Sequence, residues 1–342
     1  MADPLQSALV SHEVRSSRQR THYIEAGPAD GPLMIFLHGW PCIGLVWRAQ
    51  IEAFAAMGWR CVAPDLRGYG HSFAPASNQA YAIEHVVADL AELHDHLGGR
   101  PAVWVGHDWG SVVAAELAAH QPHRSRSVVL VALAYQPDGH ALDTLVPLVD
   151  RTIYPADSYP DGQWDYYRYY TTDFDAAVAD LNADVAASLA SIFRKGEAEA
   201  VDEVSPSAKV TRNNGRFGEA HRAPPTLPDP DLWPAADFDV LVKAFKDQGF
   251  HPACAWYLND DANFAYARRA PDGGRLSQPV LFVNGEFDQI CSISGNRQGD
   301  PMRAACTDLT LASLSAAHWL PLERKAQLVS VMSAWLESKT IG

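Results

Sequence analysis

Residues 102–120 read Ala102-Val103-Trp104-Val105-Gly106-His107-Asp108-Trp109-Gly110, followed by SVVAAELAAH from Ser111 to His120. The apolar run AVWV predicts a short strand buried on both faces, and the stretch after Gly110 predicts a helix. Between them lies Gly106-His107-Asp108-Trp109-Gly110, the G-x-Nu-x-G pattern of a sharp strand-to-helix turn that presents a nucleophile. Glycines flank that position because a Cβ would clash in so tight a turn. The central residue is Asp, not Ser. A carboxylate there lies beside a helix N-terminus, whose dipole favours the ionised form, and carboxylates are competent covalent nucleophiles. As a plain helix N-cap, Asp108 would explain neither the two glycines nor the distant partners described below.

Working outward, Leu33–Leu37 (LMIFL), Arg60–Leu66 (RCVAPDL) and Ser127–Leu133 (SVVLVAL) read as further buried strands. Ala82–Leu97 lies between them as an amphipathic helix, with Ile83, Val86, Val87, Leu90, Leu93 and Leu97 on one stripe. Strand–helix alternation is the mark of a parallel α/β sheet with right-handed crossovers. The rhythm breaks after residue 136 and returns at 275, with strands at Pro279–Asn284 (PVLFVN) and Thr307–Leu314 and a terminal helix at Arg324–Leu336. Residues 1–136 and 275–342 therefore form the expected core, and residues 137–274 an inserted helical cap. The cap holds WDYYRYY (Trp164–Tyr170), one helical stretch Phe174–Phe193, a polar loop Lys195–Pro234 and the helical LVKAFKDQ (Leu241–Gln248). A loop of that length is usually functional or mobile.

Composition excludes several classes. With 342 residues and 47% hydrophobic content the chain can bury a large core. Lys plus Arg is 27 against Asp plus Glu 41, a formal charge of -14. Such a surface disfavours nucleic acid and anionic membranes. It also does nothing to attract anions over long range, although a local site can still hold one. The five cysteines (Cys42, Cys61, Cys254, Cys291, Cys306) contain no C-x-x-C pair, so no zinc or dithiol motif is expected, and scattered thiols suit a reducing cytoplasm. The first twenty residues lack an apolar core of the secretory type, and no run approaches the ~18 apolar residues needed to span a membrane.

A carboxylate nucleophile attacking carbon makes an alkyl-enzyme ester, and water must then attack the carbonyl of that ester. The second step needs a base, and the expected chain order is nucleophile, acid, His. His318 follows the last strand in Ser315-Ala316-Ala317-His318-Trp319. Asp288 ends the preceding strand in the turn Gly285-Glu286-Phe287-Asp288, where it can accept the His318 Nδ1–H and fix the tautomer. Asp138, after SVVLVAL, is the fallback acid. His38-Gly39-Trp40-Pro41 follows LMIFL, so the backbone N–H groups of Trp40 and Trp109 are the expected oxyanion hole. The Trp40–Pro41 peptide is a candidate for the cis form.

Taken together, HGWP, DLRGYGHS (Asp65–Ser72), GHDWG, NGEFD (Asn284–Asp288) and AAHWLPLER (Ala316–Arg324) resemble the α/β-hydrolase-fold epoxide hydrolases of the soluble and microbial type, from about residue 20 to 338. The Ala before His318 departs from the more usual Gly. The resemblance implies an α/β-hydrolase fold with a mostly parallel eight-stranded sheet flanked by helices and carrying the cap. It implies no metal or organic cofactor, a small apolar epoxide as substrate, and a monomer or homodimer. It further implies two cap tyrosines that donate hydrogen bonds to the epoxide oxygen. By position the first is Tyr166, with Tyr167, Tyr169 and Tyr170 as alternatives; the second is Tyr257, in Ala255-Trp256-Tyr257 after Gly249-Phe250. His38, Pro41, Tyr167, Trp256 and Trp319 are expected against the substrate. Ring opening leaves an alkoxide, and phenols near pKa 10 can donate to it. A haloalkane or haloacetate dehalogenase would share the triad. It would need, beside Trp109, a second halide-binding Trp from the cap (Trp164, Trp233 or Trp256), and a haloacetate enzyme would also want arginines near Asp108, where the chain has none nearby. A non-catalytic small-molecule binder would have no need of Asp108, Asp288 and His318 together.

Overall fold

The computed structural model describes residues 9–342; residues 1–8, part of the segment read as lacking a secretory signal, lie outside them. Eight strands form one sheet: β1 (Val10–Arg15), β2 (Arg20–Ala26), β3 (Leu33–Leu37), β4 (Arg60–Pro64), β5 (Ala102–His107), β6 (Ser125–Val131), β7 (Leu276–Gly285) and β8 (Cys306–Leu314). Their spatial order is β1-β2-β4-β3-β5-β6-β7-β8. β2 runs antiparallel to β1 and β4, and the other pairs are parallel. β3 and β5 are wholly buried, as their unbroken apolar runs require. Helices Arg48–Ala56, Ile83–His96, Trp109–His120 and Lys325–Ser338 flank the sheet.

The register positions the site. Leu37 pairs with Gly106, His107 with Val131, and Val131 with Val283. The carboxyl ends of β3, β5, β6 and β7 therefore finish side by side, and the loops leaving them converge over one crevice. The Trp40–Pro41 bond is cis.

Between β6 and β7 the chain runs through helices Asp165–Thr172, Phe174–Asn182, Val185–Ile192, Ala235–Gln248 and Asp260–Ala267, with shorter turns between them. This segment is bound to the core through the Asp65–Ser72 turn. Gln248 Nε2 donates to the carbonyls of Gly70 and Ser72 at 2.8 and 3.0 Å, and Trp256 Nε1 donates to the Arg67 carbonyl at 3.1 Å. Arg48 adds a two-point pair to Asp237 at 2.7 and 2.9 Å.

The sequence reading departs from this in several places, the helices Asp260–Ala267 and Asp300–Ala305 among those it did not contain. The β1–β2 hairpin escaped it because β1 is an exposed edge whose side chains alternate with no apolar run. The helix Arg48–Ala56 was also missed. The stretch Phe174–Phe193 is two helices, not one: the Asp184 carboxylate accepts the Ala187 N–H at 3.1 Å and starts the second.

Candidate active site

Asp108 occupies the turn between β5 and its following helix with φ 54° and ψ −126°, a conformation that L-residues rarely adopt. The flanking residues must be glycine. A Cβ on Gly106 would stand 2.2 Å from the Gly110 carbonyl oxygen, and one on Gly110 would stand 2.2 Å from that of Leu37. Ser111 braces the turn from beneath, its Oγ donating to the Gly106 carbonyl at 2.8 Å.

The Asp108 carboxylate faces His318 and the loop after β3. Its Oδ1 accepts the Trp40 backbone N–H at 2.7 Å, and its Oδ2 lies 3.6 Å from His318 Nε2. Burial raises its pKa above the usual carboxylate value; the His318 charge and the N–H groups of Trp109 and Trp40 counter that in part. His318 Nδ1 hydrogen-bonds Asp288 Oδ2 at 2.8 Å. Asp288 Oδ1 accepts the N–H groups of Ile290 and Cys291 at 2.9 and 3.0 Å. Burial opposes ionisation of Asp288, but His318 and those two N–H groups outweigh it and hold the pKa below its ordinary value. Burial likewise opposes the imidazolium of His318, yet Asp288, then Asp108, then Glu323 carry its pKa up to about 9. The resting arrangement is thus an imidazolium between two carboxylates. Asp138, the fallback acid, is exposed beyond β6, and the His318 Nδ1–H goes to Asp288.

Two side chains with no role in the sequence reading hold this arrangement. His107 Nε2 donates to the His318 carbonyl at 2.7 Å, and burial keeps the His107 ring neutral, with a pKa of about 3. Glu323 gathers three backbone N–H groups, those of Ala317 and Trp319 at 3.1 Å and Gly196 at 3.3 Å, so it fixes the turn on both sides of His318. The only sequence signal for either was its place inside GHDWG and AAHWLPLER.

A cavity of about 140 Å³ opens against Asp108 and His318. Tyr166 and Tyr257 line it, and Ile192, Ile290 and Trp319 supply apolar wall. The two tyrosine rings meet edge to face, 5.9 Å apart. Burial pushes both phenols well above the usual range, so both stay protonated donors. The four tyrosines of WDYYRYY separate clearly. Only Tyr166 reaches the cavity. The Tyr167 hydroxyl hydrogen-bonds Asp260, the buried Tyr169 hydroxyl has no partner, and the Tyr170 hydroxyl accepts from Arg216 at 3.4 Å.

Of the five side chains expected against the substrate, Trp319 lines the cavity and the others do not. His38 is fully buried, its Nδ1–H donating to the Gly39 carbonyl and its Nε2 accepting the Leu66 N–H, so it ties the HGWP loop to the Asp65–Ser72 turn. Pro41 is buried in the same loop. Tyr167 points to Asp260, and Trp256 spends its indole N–H on Arg67. Helical and loop geometry turn these neighbours of site residues away from the crevice. The structure also brings in Arg216, from the loop 195–234, onto the cavity wall. Sequence reasoning had no signal for it.

Residues 32–325 match the family model described as the alpha/beta hydrolase fold. Among curated proteins, the chain is 30% identical over 329 residues to Epoxide hydrolase A of Mycobacterium tuberculosis, covering 93% of this chain and 94% of that one. It is 27% identical to an epoxide hydrolase of Caballeronia sordidicola, covering 99% and 97%. Among solved structures, Epoxide Hydrolase A from Mycobacterium thermoresistibile superposes with a TM-score of 0.78 at 26% identity, over 96% of this chain and 98% of that one. An epoxide hydrolase from an endophytic Streptomyces superposes with a TM-score of 0.76 at 28% identity, over 97% and 96%.

Proposed function

The chain belongs to the epoxide hydrolases of the α/β-hydrolase fold, and from that premise we propose that it converts an epoxide and water to a vicinal diol with Asp108 as the nucleophile. One observation carries the assignment of roles: a single cavity is lined both by Asp108 and by two protonated phenols, Tyr166 and Tyr257. A carboxylate can enter at one ring carbon while the phenols receive the oxygen leaving it.

The steps balance as follows. An Asp108 oxygen bonds to an epoxide carbon, the C–O bond of the ring breaks, and the alkoxide takes a phenol proton. The ester that results carries no charge. His318 has then lost one of the two carboxylates that held its proton, so its proton passes through solvent to the phenolate and the imidazole becomes a base. His318 Nε2 takes a proton from water as that water attacks the ester carbonyl. The N–H groups of Trp40 and Trp109 hold the oxyanion. Collapse releases the diol, with the carboxyl proton moving to the departing alkoxide, and restores the Asp108 carboxylate beside the His318 imidazolium. No metal or organic cofactor enters the scheme.

The segment 137–274 acts as the cap in this reading, since it supplies both phenols. Five free, buried cysteines accord with a reducing cytoplasm, and no helix among the described residues is long and apolar enough to cross a membrane. The haloalkane form of the dehalogenase alternative finds less support. Trp256 has spent its N–H on a carbonyl, and the tryptophans on the cavity wall are Trp40 and Trp319, not Trp164 or Trp233.

The test is incubation with styrene oxide and, separately, with 1-bromobutane. Diol formation that disappears in Asp108→Ala and His318→Ala supports the proposal, and halide release without diol refutes it. His318→Gln, which cannot activate water, should accumulate an enzyme adduct of the epoxide's mass in intact-mass spectrometry. A clean unmodified mass for that variant after exposure to a substrate that the wild type turns over would remove the two-step route.

A further inference from the structure

The proposed chemistry does not use Arg216. Its guanidinium lies 5.5 Å above the Trp40 ring centroid and 5.9 Å from that of Tyr166. One N–H reaches the Tyr170 hydroxyl at 3.4 Å, and the buried Nε has no partner. Among the described residues no carboxylate oxygen lies within 4.0 Å of its guanidinium nitrogens; against burial, the phenols of Tyr170, Tyr166 and Tyr257 act to raise its pKa. Aromatic faces offset part of the cost of a desolvated cation, but they leave the in-plane N–H donors of the fork unanswered. Arg216 lines the cavity that holds Asp108, and also an outer cavity of about 560 Å³ bounded by Asn213, Phe217 and Pro224. Arg216 therefore stands between the reacting carboxylate and the outside.

We propose that Arg216 recognises a carboxylate on the substrate, and that the site takes small epoxy acids in which the carboxylate stands a bond or two from the oxirane ring. The proposal rests on the reading of Asp108 as an epoxide-opening nucleophile. A planar guanidinium fork matches a carboxylate by two parallel hydrogen bonds. The distance between the groups follows from size. A closed cavity of about 150 Å³ takes up a molecule the size of benzene, and this one is about 140 Å³, which favours a ring and a carboxylate close together. An apolar epoxide, the substrate the sequence suggested, would leave the guanidinium unpaired. Because the net charge is -14, this local cation supplies attraction for an anion that the surface as a whole does not.

The experiment measures kcat/KM for oxirane-2-carboxylate and oxirane-2-carboxamide in the wild type, Arg216→Gln and Arg216→Lys. Intrinsic reactivity cancels when the acid-to-amide ratio is compared between proteins. The ratio should fall at least about tenfold in Arg216→Gln, as loss of a charge-assisted hydrogen bond dictates, and less in Arg216→Lys. An unchanged ratio overturns the proposal. Cyclopropanecarboxylate and its amide, which cannot react, give the second readout by calorimetry on the wild type: the acid should bind more tightly, and equal binding counts against Arg216. Amide turnover with an unchanged ratio would sink the Arg216 assignment alone. Binding of the cyclopropane acid over its amide, with neither epoxide turned over, would sink the epoxide reading and leave Arg216 in place.

Discussion

At the scale of single residues, Asp108 pays for its position twice. Its backbone is held at φ 54°, ψ −126°, a strain of roughly 1–3 kcal/mol for a residue with a Cβ, and its carboxylate is desolvated. Asp108→Gly relieves both while His318 keeps Asp288. We expect an inactive protein that is as stable as the wild type or more stable by ~1 kcal/mol; a clear drop in thermal stability would contradict the strain argument. His318 allows a sharper prediction. Its pKa of about 9 depends on Asp288 and, next, on Asp108. Ester formation removes the Asp108 charge, so the pKa must fall in the intermediate. Decay of the alkyl-enzyme, which needs neutral imidazole, should rise with pH through a midpoint below 9 in stopped-flow fluorescence. A midpoint at or above 9 would mean that the Asp108 charge does not govern His318.

At the scale of elements, the helix Asp165–Thr172 decides which phenol does what. Tyr166 and Tyr170 are one turn apart, and with Tyr167 all three rings pack on Tyr257, at centroid distances of 5.9, 5.1 and 4.8 Å. The hydroxyls separate them: that of Tyr167 goes to Asp260, which also accepts the Leu142 N–H at 3.0 Å, and so anchors the helix, while Tyr166 lines the cavity. Tyr166→Phe should therefore slow alkylation about tenfold or more. Tyr167→Phe should instead lower stability by ~1–3 kcal/mol, because it leaves Asp260 short of a donor. Stopped-flow alkylation rates and thermal unfolding separate the two, and a larger rate loss in Tyr167→Phe would reverse the assignment. The resemblance put Tyr166 first by position but left its three neighbours open, since rotation about the helix axis is settled by what the helix packs on.

At the scale of the whole molecule, inserted segment and sheet share one aromatic cluster. Trp40 and Trp109 from the core meet Tyr257 at 6.1 and 5.3 Å, and Trp40 meets Tyr170 at 5.8 Å. Gln248, Trp256 and Arg48 bind the same two parts by hydrogen bonds. Neither part can leave without exposing the tyrosines and tryptophans of the site. We expect one cooperative thermal transition, with near-UV and far-UV circular dichroism coinciding. An earlier near-UV step would show the segment 137–274 melting by itself.

By itself the sequence determined the sheet's buried strands, the elbow at Asp108 and the order of its partners Asp288 and His318. The reason is local: each of these residues stands at the end of an apolar strand or in the loop after one, and parallel register carries those ends to one crevice. Tertiary structure alone decided that Tyr166 faces the cavity and Tyr167 does not, that His38 and Trp256 brace loops, and that Arg216 reaches the site. Those outcomes depend on how a helix is rotated and where a long polar loop folds back. Such packing across large sequence separations leaves no periodic trace in the chain.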